Sequence, residues 1–203
     1  MKRGIKTSPD FLDIHVTLGS KSWTRKLRSA AACARRAAAA AMEAPKGKLL
    51  HRSSASTKVE ISILLATDQA VRRLNASFCG INKATNVLAF PVASEDRSVQ
   101  PIGTPLLLGD IAIAFGTTDR EARNEGKTIA AHLSHLVVHG VLHLLGYDHQ
   151  SECEAIKMEH LETKILEGLN IADPYSATPR NSDTSSKVKK CFRKYPNQTR
   201  SQS

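Results

Sequence analysis

The segment from Thr128 to Leu145 constrains this chain more than any other, because it is long, apolar and helical in pattern, and its ionisable side chains are all histidines: His132, His135, His139 and His143. A helix of that composition has to be buried against other elements, so it marks the core. Residues four apart lie on one helix face, and His139 and His143 therefore present two imidazoles, one above the other, to a common point. Gly146 can take the left-handed conformation that ends a helix, after which the chain turns back and brings His149 to the same point. Five of the eight histidines fall between His132 and His149. His135, one turn before His139, is placed to line the same cleft, whereas His132 reads equally well as a surface residue.

Three imidazoles at this spacing are the donor set expected for one zinc ion per chain. Zinc with three protein nitrogens keeps its fourth position open for water and lowers that water's pKa to about 7, which is the chemistry of a hydrolase. Nickel and manganese are compatible with the same donors. The pattern H-x-x-x-H-x-x-G-x-x-H also occurs in metzincin peptidases, where a Glu after the first His acts as general base. Here that position is Gly140, which cannot accept a proton, so a peptidase of that kind is disfavoured. Asp148 and Asp110 are the candidate carboxylates for handling the proton of the attacking water.

Around this segment the pattern is α+β. Leu12, Ile14, Val16 and Leu18 alternate with polar residues, as do Val59, Ile61, Ile63 and Leu65, and both runs predict half-buried strands. Ser22 to Ala44 is rich in Ala, Arg, Lys and Leu without Gly or Pro, which predicts one helix with its basic residues outward. Thr67 to Phe78 predicts a short helix capped by Thr67. Asn86–Phe90 and Leu106–Phe115 predict two more strands, with a loop over 92–105 between them. Capping boxes at Thr118/Glu121 and Ser151/Glu154 predict helix starts. The sum is a four-stranded sheet packed with about five helices, with the metal site on a helix and the loop after it.

Charge divides the chain further. Residues 1–58 carry 13 Lys+Arg against 3 Asp+Glu, residues 59–173 carry 9 against 15, and residues 174–203 carry 7 against 1. The boundaries expected are a basic N-terminal extension over 1–10, a single domain over 11–173 and a disordered basic tail over 174–203, too poor in aliphatic residues to offset the entropy of ordering it. Basic flanks around an acidic centre point to a polyanionic partner, with nucleic acid ahead of membrane because no amphipathic apolar face accompanies the charge. No signal peptide or membrane span is visible. Cys33, Cys79, Cys153 and Cys191 lie far apart without a C-x-x-C pair, which speaks against a disulfide framework and for a reducing cytoplasm.

The eleven residues H-G-V-L-H-L-L-G-Y-D-H, from His139 to His149, closely resemble the YbeY family of bacterial endoribonucleases. His135 precedes them, the helix with Met158, Glu159 and Glu162 follows, and then come Asp173, Pro174 and Tyr175. The likeness extends to L-N-A-S-F-C-G-I-N-K-A-T-N-V-L-A-F-P over Leu74–Pro91 and to L-G-D-I over Leu108–Ile111, and covers residues 11 to 175. What the resemblance implies is a zincin-like fold with a mixed sheet, zinc on His139, His143 and His149, and cleavage of single-stranded RNA. It further implies maturation of the small-subunit ribosomal RNA 3′ end, ribosome quality control and association with the ribosome or its small subunit.

One departure stands out. Cys79 occupies the position where the family has an Arg thought to hold substrate phosphate, and a thiol cannot replace the paired hydrogen bonds of a guanidinium. Either a neighbour such as Arg72, Arg73 or Lys83 takes over, or the activity is weaker or different; Cys79 itself reads as a small buried filler. Asn86 and Ala89 stand where the family commonly has Asp and Ser. Two alternatives therefore stay open beside the ribonuclease: a ribosome assembly factor with weak or no catalysis, and a zincin-like hydrolase of a non-RNA substrate. The sequence sets no oligomeric state. Removal of residues 176–203 is expected to weaken RNA association and flatten its salt dependence, since fewer counterions are released on binding; titrations at several salt concentrations read both quantities.

Overall fold

The computed structural model describes residues 12–43, 58–92, 105–147 and 151–176. The N-terminal extension, the 44–57 linker, most of the 92–105 loop, Asp148, His149 and the tail from residue 177 lie outside them. In chain order the elements are β1 (Leu12–Leu18), α1 (Lys21–Lys26), α2 (Ala30–Glu43), β2 (Val59–Ala66), α3 (Asp68–Cys79), β3 (Val87–Pro91), β4 (Leu106–Ala114), α4 (Phe115–Asn124), α5 (Ile129–Leu144) and α6 (Glu152–Gly168). The four strands form one mixed sheet in the order β1-β2-β4-β3, in which β3 alone runs antiparallel to its neighbour.

Strand alternation sends Val59, Ile61, Ile63 and Leu65 of β2 into the main core, where Ile111 and Ile113 of β4 join them. The central helix of that core is α5, and the Ala-rich α2 lies against it, with Ala34, Ala37, Ala38 and Ala41 fully buried. Small side chains let the two helices approach closely, while Arg35 and Arg36 face outward as expected. On the opposite side of the sheet α3 places Val71 against Ala66, Ala112 and Ala114 in a second, smaller cluster.

Two glycines set the distances. Gly140 of α5 sits so close to β4 that a Cβ there would lie 3.0 Å from Ile111 Cδ1. Gly109 (φ 141°) lies where β4 shifts register against β2, and a Cβ on it would lie 2.2 Å from the Phe90 carbonyl oxygen. No other residue type fits that close pairing of β3 with β4.

The predicted strands and the caps at Thr67 and Ser151 are all present, and Thr128 caps α5 as well. The single helix over 22–44 is not: the chain breaks into α1 and α2 around Leu27. Trp23, wholly buried, donates its indole N–H to the Ala66 carbonyl (3.1 Å) and packs edge-on against Phe115, a tertiary anchor that helix propensity does not register. Nor does a helix open at Thr118. Its hydroxyl instead donates back to the Ala114 carbonyl (2.7 Å), and α4 begins at Phe115. Pro174 and Tyr175 are tied to the domain by hydrogen bonds to Lys127 and Glu162. Cys33 is buried and free, but Cys153 on α6 is disulfide-bonded, at odds with an all-thiol chain; spacing alone does not reveal a single pairing. Among the described residues no helix is long and apolar enough to cross a membrane.

The N-terminus of α4 has no side-chain cap of its own. Asp68 of α3 supplies one from a distance, accepting from Gly116 N (2.6 Å), Thr117 N (2.8 Å) and Thr117 Oγ1 (2.6 Å). Partial burial opposes its charge, yet these donors outweigh burial and hold the carboxyl below the usual range. Asp68→Ala is expected to cost about 1 kcal/mol, read as a lowered urea midpoint at neutral pH. Because the folded pKa is depressed, this contribution is complete above about pH 4 and vanishes as pH falls through the folded value, so wild-type and variant stabilities should converge in acid.

Candidate metal centre and cleft

The C-terminal half of α5 runs beside the edge strand β3, and a cleft of about 540 Å³ opens between them. Thr85, Asn86, Val87 and Ala89 line one wall; His139, Gly140, His143, Gly146 and Tyr147 line the other. The helix stops in a Schellman arrangement: Gly146 adopts φ 84°, its N–H bonds the His143 carbonyl (2.9 Å), and the Tyr147 N–H bonds the Leu142 carbonyl (3.0 Å). Gly146 thus takes the left-handed conformation expected of it.

His139 and His143 meet as their spacing requires, with their Nε2 atoms 3.1 Å apart. What orients His139 is Glu162 of α6, 1% exposed. Its Oε1 accepts from His139 Nδ1 (2.8 Å), while Oε2 accepts from His135 Nε2 (3.0 Å) and from the Tyr175 hydroxyl. Burial works against the carboxylate, but donation from His135 and His139 outweighs it and holds the pKa at about 2. An ionised Glu162 can only accept, so His139 carries its proton on Nδ1 and its Nε2 lone pair faces the cleft. Burial, with Glu162 alongside, pushes the Tyr175 phenol up and keeps it a donor.

His135 therefore lies behind the cleft, bonded to Glu162, and does not line it. His132, for which the sequence leaves a surface position open, is buried at 4% exposure and donates Nε2–H to Glu121 Oε2 (3.0 Å). The same oxygen accepts from Asn86 Nδ2 (3.0 Å), and Asn86 Oδ1 accepts from Val87 N (2.7 Å), so this wall residue is held at both ends.

Other expected site residues fall elsewhere. Asp110 is exposed and stands in register with Phe90 on β3. It alternates with Ile111, whose side chain meets Gly140, and so it points to the α3 side of the sheet, away from the imidazole pair. Asp148 and His149 lie outside the described residues, and among those residues no set of three metal-ligating side chains is complete. Cys79 is exposed rather than buried and does not line the cleft. Arg72 is engaged with Asn82, its Nε donating to Oδ1 at 2.7 Å. The role of Glu162 was missed, although a signal existed: it interrupts the buried stripe Met158, Ile165, Leu166 of α6, and a carboxylate there requires partners.

Residues 27–170 match the family described as endoribonuclease YbeY. The chain belongs to that family. Proteins named endoribonuclease YbeY include one from Paramagnetospirillum magneticum, 48% identical over 168 residues that span 81% of this chain and 96% of that protein. Another, from Chelativorans, is 43% identical over 177 residues, 87% of this chain and 100% of that protein. A third, from Rhodopseudomonas palustris, is 54% identical over 123 residues, 61% of this chain and 64% of that protein. The YbeY motif residues His139 and His143 are thus the convergent pair in the cleft. Glu162→Gln is expected to lower zinc affinity by about 10–100-fold with secondary structure intact, as loss of a carboxylate behind a ligating imidazole does. Chelator competition with circular dichroism checks this, and unchanged affinity would mean that Glu162 does not orient His139.

Proposed function

We propose that this chain is a zinc-dependent endoribonuclease that cleaves single-stranded RNA, acting in maturation of the small-subunit ribosomal RNA 3′ end and in ribosome quality control in the cytoplasm. The observation that carries this reading is the 3.1 Å approach of two imidazole Nε2 atoms in an open cleft, backed by a buried carboxylate, in a member of the YbeY family.

The residues fit the ion. His139 and His143 offer converging nitrogens, Glu162 fixes the tautomer of His139, and His149 is the third donor that the motif supplies. Zinc bound there would supply a Lewis acid for phosphodiester hydrolysis. The chain's own part is to orient donors and admit substrate. Gly140 itself offers no carboxylate to that wall, and the closeness of Ile111 leaves no space for a larger side chain at that position, which supports a substrate other than a peptide. The opposite wall is an edge strand, along which an extended polymer can lie.

A second reading, an assembly factor with weak catalysis, is favoured by one observation: among the described residues no Lys or Arg lines the cleft, and Cys79 does not point a substitute into it. If Cys79→Arg raises nuclease activity sharply while ribosome association stays constant, that reading gains. For the leading one, His143→Ala should lose bound zinc and RNA cleavage together, measured on metal-quantified protein; cleavage by pure metal-free protein would sink it.

A further inference from the structure

Phe78 is 70% exposed and Ile81 55%, and both lie at the C-terminal end of α3 on the side of the sheet away from the cleft. An exposed phenyl ring beside an exposed isoleucine leaves apolar surface in water, which a folded chain normally keeps only for contact with something else. The ring is not loose. It packs against Phe90, with centroids 5.0 Å apart and planes at 55°. Phe90 belongs to the edge strand β3, and its chain neighbours Ala89 and Pro91 both line the cleft. The aromatic pair is therefore separated from the imidazole side by the thickness of one strand.

The loop after α3 is fixed beside this ring. Gly80 turns the chain at φ 71°, Ile81 N bonds the Asn75 carbonyl (3.2 Å), and the buried Asn75 donates Nδ2–H to the Lys83 carbonyl (2.7 Å). Arg72 Nε holds Asn82. Residues 69–84 include Arg72, Arg73 and Lys83, all exposed, and no Asp or Glu. A rigid aromatic face beside exposed cations, one strand from a cleft, has the makings of a single-strand nucleic-acid site: stacking tolerates any base, and the cations suit the phosphates between bases. Asp110, across from Phe90 on the same face, offers an acceptor to an exocyclic amino group of a base.

We propose that Phe78, backed by Phe90 and flanked by Lys83, is a stacking platform for a nucleobase of the single-stranded RNA whose neighbouring residues occupy the cleft, so that the strand crosses β3. This rests on the ribonuclease reading and extends it to substrate positioning. The platform also bears on Cys79, since the strand is then gripped next to that residue without a guanidinium in the cleft.

The test is binding of the full chain to short single-stranded oligoribonucleotides carrying 2-aminopurine at successive positions, with cleavage assayed in parallel. Phe78→Ala is expected to weaken binding about tenfold, the order for one lost stacked base, and to abolish fluorescence quenching at one probe position. The salt dependence of binding should not change, because no phosphate contact is removed. Phe78→Trp should retain affinity and quenching. Exposure of the ring means neither variant should unfold, which thermal melts verify. If the wild type binds and cleaves RNA but Phe78→Ala binds it equally well, the platform is overturned and the ribonuclease reading stands. If sedimentation shows that Phe78→Ala instead converts a dimer to a monomer with RNA affinity unchanged, the patch is a surface for a second copy and the platform is likewise overturned. A wild type that neither binds nor cleaves RNA overturns both.

Discussion

A carboxylate buried to 1% exposure is the constraint on which the site and its surroundings depend. Taking Glu162 out of water as an anion is costly unless donors replace the lost hydration. Three do so: His135 and His139 from α5, and Tyr175 from the segment after α6. Each donor fixes a spatial relation, so the seating of α6 against α5 and the return of the chain at Asp173–Tyr175 both follow from satisfying one side chain. Thr163 and Lys127 reinforce that return through Asp173 and the Pro174 carbonyl. The interaction that holds the C-terminal part of the domain is thus the one that sets the protonation of a candidate metal ligand.

The other determinant is distance. Gly140 brings α5 down onto β4, and because β3 is the next strand outward, the same approach brings His139 and His143 to its edge. A larger residue at position 140 would displace the helix from the sheet. One glycine therefore accounts for the seating of the helix and for the absence of a peptidase's acid at that position of the helix.

Legibility from sequence followed the range of the interactions involved. Strand alternation, the caps at Thr67 and Ser151, the turn at Gly146 and the His139/His143 pair are all local, set by residues within about one helical turn or by period-two patterning, and each was readable. What escaped depends on contacts distant in the chain. The break between α1 and α2 comes with Trp23 reaching Ala66, the start of α4 is capped by Asp68, and the burial of His132 is permitted by Glu121. Asp110 is a candidate carboxylate by residue type alone. Which face it occupies depends on strand pairing and on the register shift beside Gly109, and a one-residue shift exchanges the two faces of a strand.

Among the described residues the sheet ends in two edge strands, and their composition bears on how the protein behaves when crowded. β3 is only five residues long and ends at Pro91, which has no N–H to offer a further strand. At the far edge β1 turns Asp13 and His15 outward, each more than half exposed. Short length, proline and outward charge are the devices by which natural sheets resist edge-to-edge growth. The strand that lines the cleft is accordingly a poor template for a neighbour's strand, and the cleft can stay open at high protein concentration without inviting aggregation along its own lip.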